Sequence, residues 1–145
     1  MIASPTSTTV SLAVAQRSLA DPNLRYPLFP PLVTGCPQTS TSELQYPLAV
    51  AYDYDAVPPD FFRRDPGHGI RRWAELLPPL APGLSMSEGG TPLISAPRLA
   101  EWAGLGGEVY IKDESRNPTG SHKDRLNLCT VSWAVLGAAP GGTVA

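Results

Sequence analysis

Lysine is scarce in this chain: Lys112 and Lys123 stand against nine arginines in 145 residues. Cysteine is as scarce, and Cys36 and Cys129 cannot build a disulfide framework. No apolar run approaches the ~18 residues that a membrane-spanning helix needs. Net charge is only −2, which excludes a broad electrostatic attraction to nucleic acid. The arginine pairs Arg63-Arg64 and Arg71-Arg72 are local, are interrupted by Asp65 and Glu75, and read as a solvated face. No acidic residue precedes Asp21, and Arg17 is the one basic residue before it. A secretory signal would need a charged leading segment, so a cytoplasmic protein is expected.

The chain divides by composition. Residues 1–25 are expected to form a disordered tail, with Met1 to Thr9 rich in serine, threonine and small residues. Residues 26–82 form an extension dense in proline, from Pro27, Pro30 and Pro31 to Pro78, Pro79 and Pro82. Each proline fixes its own φ and pushes its predecessor toward extended geometry, so long helices are excluded there. A short helix near Arg71 to Leu77 and a short strand over Leu48 to Tyr52 are expected. Residues 83–145 are better ordered. Ser95 is placed to cap a helix with Pro97 in its first turn, Leu99, Trp102 and Ala103 share one face, and Gly104 supplies a stop. A strand over Glu108 to Lys112 follows. A second helix begins after Ser121, with Leu126, Cys129, Trp133 and Leu136 near one buried stripe. Thr143 to Ala145 reads as the start of another strand. Alternating helix and strand predicts an α/β fold with a parallel sheet.

The densest signal is Tyr110-Ile-Lys-Asp-Glu-Ser-Arg-Asn-Pro-Thr-Gly-Ser-His-Lys-Asp-Arg125. A turn built from Asn117, Pro118, Thr119, Gly120 and Ser121 delivers Lys123 to the mouth of a helix. A primary amine there can act as a nucleophile, and the amides of the turn can meet an anion. A cation at a helix N-terminus is unfavourable by ~0.3–1 kcal/mol, so this placement goes against local preference. Lys112 ends a strand and reads as a solvated or ion-paired lysine. A phosphate-binding nucleotide loop is excluded, because it requires glycine directly before the lysine and serine or threonine directly after it. Here Ser121 and His122 intervene, and Asp124 follows.

This motif resembles the lysine segment of the tryptophan-synthase-β-like, fold type II pyridoxal-phosphate enzymes. Upstream, Glu88-Gly89-Gly90-Thr91-Pro92-Leu93 is similar to the segment that opens their catalytic region. Tyr52-Asp53-Tyr54 and Arg72-Trp73-Ala74-Glu75-Leu76-Leu77-Pro78 sharpen the resemblance to the threonine synthase branch, over about Tyr46 to Ala145. Two positions depart from it. His122 stands where phenylalanine is common, and Thr39 stands where many relatives carry the second cysteine of a Cys-x-x-Cys pair. Threonine cannot replace a thiolate zinc ligand, so no metal site is expected.

The resemblance implies pyridoxal 5'-phosphate as cofactor, with Lys123 as the residue that carries it and then acts as catalytic base. Ser121 and Asn117 are the implied cofactor contacts, and Thr91 and Ser121 the implied substrate contacts. For Ser121 and Asn117, capping and turn formation are the competing roles, and for Thr91 a purely turn-forming role competes. Asp124 and Arg125 are expected to pair structurally. The implied reaction converts O-phosphohomoserine and water to threonine and phosphate, with no nucleic-acid or membrane partner and a homo-oligomer at full length. A serine/threonine dehydratase would share the Lys123 motif. The family's Ser-Gly-Asn and glycine-rich phosphate loops do not occur in these 145 residues, so an inactive truncated or decayed product is a third reading.

Overall fold

The computed structural model describes residues 11–63 and 69–138. The expectations for Met1 to Thr9 and for Thr143 to Ala145 lie outside them. Three strands come first: β1 (Ala13–Ser18), β2 (Arg25–Tyr26) and β3 (Leu48–Tyr52). They form one antiparallel sheet in the order β2-β1-β3, with Gln16 opposite both Tyr26 and Val50. The tail expected over residues 1–25 is therefore corrected from Ala13 onward. Its strand escaped notice because its two buried side chains, Gln16 and Ser18, are polar.

Gln16 explains how a polar residue can sit there. Prolines offer no N–H, so the carbonyls around them must find donors elsewhere. The Gln16 Nε2 donates to the carbonyls of Pro27 (2.8 Å) and Pro30 (3.0 Å), and its Oε1 accepts from the Leu32 amide (2.9 Å). One side chain thus fastens the proline-rich segment to the sheet. That segment also receives the far end of the last helix. Trp133 Nε1 donates to the Leu28 carbonyl at 3.3 Å, and its ring meets Phe29 edge-on at 6.5 Å.

As expected, no long helix forms among the described residues of the proline-rich region. It holds 3-10 turns at Tyr54–Ala56, Phe61–Arg63 and Gly69–Leu76, and the last of these falls on the predicted short helix. The Gly69–Leu76 stretch is anchored just ahead of β1, where Leu12 N donates to the Glu75 carbonyl at 2.8 Å. A small core gathers around Phe61, Ile70, Ala74 and Ala81.

In the C-terminal half, β4 (Leu93–Ser95), α1 (Pro97–Trp102), β5 (Tyr110–Lys112) and α2 (Lys123–Gly137) follow in order. Strand β5 ends at Lys112 as predicted, but β4 and β5 pair antiparallel, Leu93 opposite Lys112 and Ser95 opposite Tyr110. The predicted parallel sheet is thus not formed among the described residues, which combine helix with two antiparallel sheets. Three finer expectations are also corrected. Ser95 is paired in β4, so Ala96 takes the cap position of α1 without a side-chain hydrogen bond. Ala100 is the buried residue of α1, whereas Trp102 is 84% exposed. In α2 the buried stripe is Asp124, Leu128 and Ser132, while Leu126 is 63% exposed. Apolar residues ring α2, so composition alone does not mark its inner face. Gly104 ends α1 in the left-handed region, φ +64°, as expected. No helix among the described residues is long and apolar enough to cross a membrane.

Gly69 marks the tightest crossing. It has φ +58°, and a Cβ built on it would lie 2.3 Å from the Glu88 carbonyl oxygen, which already accepts from Ile70 N at 2.8 Å. Gly69→Ala should therefore lower stability by at least ~1–2 kcal/mol, the cost of a left-handed L-residue before any clash is added. Gly106→Ala, with open space around it, should stay within about 0.5 kcal/mol. Urea unfolding of both variants checks this. Equal midpoints would show that the 69–88 crossing bears no strain.

Candidate active site

Glu114 organises the site, although sequence reasoning did not single it out. It opens a 3-10 turn, Glu114–Arg116, whose preceding residue Asp113 accepts from the Ser115 amide. Its carboxylate takes a two-pronged contact from Arg125, Nε to Oε2 and Nη2 to Oε1, both at 2.9 Å. Thr91 Oγ1 donates to Oε1 at 2.6 Å, and Asn117 Nδ2 donates to Oε2 at 2.9 Å. Arg125, then Thr91 and Asn117, hold the carboxyl down to about 2 against the opposing effect of burial. Planar guanidinium–carboxylate pairing of this kind is both strong and directional.

Two implied ligand contacts are spent on this network. Thr91 is buried, and its hydroxyl also accepts from Arg125 Nη2 at 3.1 Å. Asn117 is buried too, and its Oδ1 accepts from Gly89 N at 2.9 Å. The two residues thereby lock the Glu88–Thr91 segment onto the lysine turn, 28 residues apart along the chain at Gly89 and Asn117. Asp124 and Arg125 do not pair with each other. Asp124 accepts from Thr119 N (2.8 Å) and Thr119 Oγ1 (2.6 Å), bracing the turn from inside the helix. Glu88, buried as well, fixes the turn ahead of it by accepting from Ser85 Oγ and Met86 N.

Lys123 begins α2 and is exposed. Its amide donates to Ser121 Oγ at 3.2 Å, so Ser121 does serve the helix start, although His122 occupies the cap position by backbone geometry. A primary amine presented on a braced turn suits covalent attachment of an aldehyde cofactor. The turn suits a phosphate less well. The Gly120 amide is bonded to the Asn117 carbonyl, Asp124 N to the Ser121 carbonyl and Arg125 N to the His122 carbonyl. With Lys123 N also taken, few amides face outward. Lys123 and Ser121 thus lie side by side at the helix mouth, while Thr91 and Asn117 belong to the Glu114 network beneath.

Cys36 is fully buried beneath β2. Burial works to raise its thiol, but hydrogen bonds with Thr39, Tyr26 and Ser18 outweigh this and bring it to about 6. The Tyr26 hydroxyl lies 3.2 Å from Sγ.

The acid side of the stability profile tests the network. A carboxyl depressed in the fold contributes stability that is present above its unfolded value and lost as pH falls through its folded value. For Glu114 that window runs from its usual 4.5 down to about 2. Stability should fall across that window in the parent chain and fall less in Glu114→Gln, which starts from a lower plateau at neutral pH. Chemical denaturation at stepped pH reads both, and parallel profiles would remove Glu114 from its central place.

The sequence profile of the pyridoxal-phosphate dependent enzymes matches residues 84–145. Among curated proteins, the chain is similar to the threonine synthase of Methanosarcina acetivorans, 40% identical over 79 residues, which is 54% of this chain and 19% of that protein. It is 45% identical over 69 residues to the threonine synthase of Mycobacterium leprae, covering 43% of this chain and 19% of the relative. With that of Methanocaldococcus jannaschii it shares 37% over 83 residues, 54% of this chain and 20% of the relative. The chain thus spans about a fifth of the length of these relatives. No solved structure matches it significantly. Residues 84–145 carry the sequence pattern of the pyridoxal-phosphate dependent enzymes, and over about half of its length the chain resembles threonine synthases.

Proposed function

We propose that this chain contributes the lysine-bearing portion of a threonine synthase-like enzyme, with O-phosphohomoserine and water as substrates and threonine and phosphate as products. The observation that carries this reading is the exposed Lys123 on the first residue of α2, on a turn braced by Asp124 and by the Glu114–Arg125 pair. The cofactor, when bound, supplies an electron sink for proton removal at amino-acid carbons. The chain's own part is positional and acid–base. Lys123 Nζ would hold the cofactor covalently, and the same amine would take and return protons at the substrate carbons. Ser121, whose hydroxyl already meets the Lys123 amide, lies next to the reacting amine and is the residue best placed to touch cofactor or substrate. Thr91 and Asn117 act one layer back, by fixing the turn through Glu114.

Borohydride reduction in the presence of pyridoxal phosphate should label Lys123 and spare Lys112. Tryptic cleavage at Arg98, Arg116 and Arg125 puts the two lysines on different peptides, so mass mapping separates them. Label on Lys112 alone would overturn the assignment.

The 145-residue chain by itself should bind the cofactor weakly and release no phosphate from O-phosphohomoserine. Lys123 supplies the covalent anchor, but most amides of its turn are internally bonded. A phosphate carrying about −1.5 to −2 charges needs several such donors. Titration of the chain and of Lys123→Ala, followed by cofactor absorbance and phosphate release, decides the matter. Micromolar, Lys123-dependent binding with threonine formation would show the chain to be sufficient.

A further inference from the structure

The β2-β1-β3 sheet carries charge on the face that Gln16 and Ser18 do not occupy. Arg17 alternates onto that face, directly opposite Arg25 of β2 and Ala49 of β3. Opposed side chains of an antiparallel pair lie about 5 Å apart at Cβ, and like charges so placed repel. Neither arginine has a side-chain hydrogen bond or an ion pair among the described residues. Arg17 Nε is moreover closed off from solvent without an acceptor. The acidic side chain in the hairpin between them, Asp21, accepts from the Asn23 amide.

The opposite end of the same face is acidic. Ala15 pairs with Ala51, and the two-residue period of β3 runs from Ala49 through Ala51 to Asp53. Asp53 keeps an extended backbone, φ −81° and ψ 91°, and its amide continues the pairing by donating to the Leu12 carbonyl at 2.9 Å. Its Oδ1 accepts from the Asp55 amide at 3.2 Å. Asp53 and Asp55 are exposed, and neither forms an ion pair among the described residues. Four residues of strand put this acidic end about 13 Å from the arginine pair. Ala15, Ala49 and Ala51 lie between, none of them fully buried, and their methyl groups keep the floor low.

A face with two unpaired cations at one end and two unpaired carboxylates at the other is complementary to itself. A two-fold axis lying in the interface and running across the strands turns one copy end for end. Each arginine pair then faces the acidic end of the other copy, and every contact occurs twice, as in an isologous dimer. The alanine floor lets the two sheets approach, and the arginine side chains are long enough to span the gap. We infer that this face is an interface between two copies of the chain, held by reciprocal pairing of Arg17 and Arg25 with Asp53 and Asp55. The lysine turn and the Glu114 network take no part in it, so its failure and that of the cofactor reading are separate.

Sedimentation equilibrium of the chain at low salt should show a reversible dimer that dissociates as salt rises, because exposed ion pairs are screened. Arg17→Glu with Arg25→Glu should weaken it about tenfold or more, and so should Asp53→Asn with Asp55→Lys, since like charges then face each other. Asparagine keeps the cap acceptor of Asp53 and spares the turn. An equimolar mixture of the two double variants should restore the dimer that neither forms alone, a rescue that a folding defect would not show. Monomer at every concentration would overturn the proposal. So would association that ignores salt and both double variants, which would place it on another surface, or a mixture that stays monomeric. A monomeric chain that binds a glutamate-rich peptide, and loses it with Arg17→Glu, would give the face to an acidic partner and would equally overturn the second copy.

Discussion

The Glu114 carboxylate is the constraint on which the C-terminal half depends. It takes four hydrogen bonds from three partners that the chain delivers separately: Thr91 before β4, Asn117 in the lysine turn and Arg125 in α2. Elsewhere in this half the packing is thin. Among its described residues, Ala100 and Leu128 are the buried apolar side chains, and both strands expose every residue. Directional charge-assisted bonding therefore fixes geometry that apolar burial does not. Arg125 and Glu114 are each about a quarter exposed, so the pair also keeps part of its hydration and avoids the full desolvation cost of a buried ion pair.

Proline sets the constraint in the other half. Extended segments rich in proline cannot satisfy one another's carbonyls, so they need side-chain donors. Gln16 serves two such carbonyls at once, and Arg71 Nη2 serves the Ala81 carbonyl at 2.9 Å. Their long side chains do here what ladder amides do in an ordinary sheet. The arrangement also couples the halves. The segment fastened by Gln16 carries Leu28 and Phe29, which meet Trp133 of α2, so the helix that starts at the candidate active site ends against the proline-rich extension.

What the sequence made legible follows from which signals are local. The end of β5 at Lys112, the start of α2 at Lys123, the strand at Leu48–Tyr52 and the stop at Gly104 rest on residues within a few positions of one another, and all are found. Strand β1 stayed hidden because its inward positions are glutamine and serine, and the partners of Gln16 lie 11 to 16 residues away. The direction of the β4–β5 pairing stayed hidden because a helix between two strands usually marks a parallel crossover. The six-residue α1 and its flanking turns instead bring β5 back antiparallel. Leu99 and Trp102 were expected to share the inward face, but both are exposed, which leaves Ala100 as the inward side chain. Glu114 lay inside the most informative motif and still went unread. A carboxylate's importance here comes from an arginine 11 residues on and a threonine 23 residues back, and no local pattern encodes that meeting.

The two lysines show how the same network creates two different settings. Arginine supplies nearly all of the positive charge in this chain and cannot act as an amine nucleophile, because it stays protonated. Lysine is kept for two positions one motif apart. Lys112 is tied to the Thr91 carbonyl and lines a cavity shared with two arginines. Lys123 stands exposed at the mouth of α2 and does not line that cavity. Thr91, Glu114 and Arg125 lie between these settings, orienting Lys112 from one side and the first turn of α2 from the other. The separation of a tethered lysine from an exposed one is thus a property of the hydrogen-bond network, since in composition the two residues are identical.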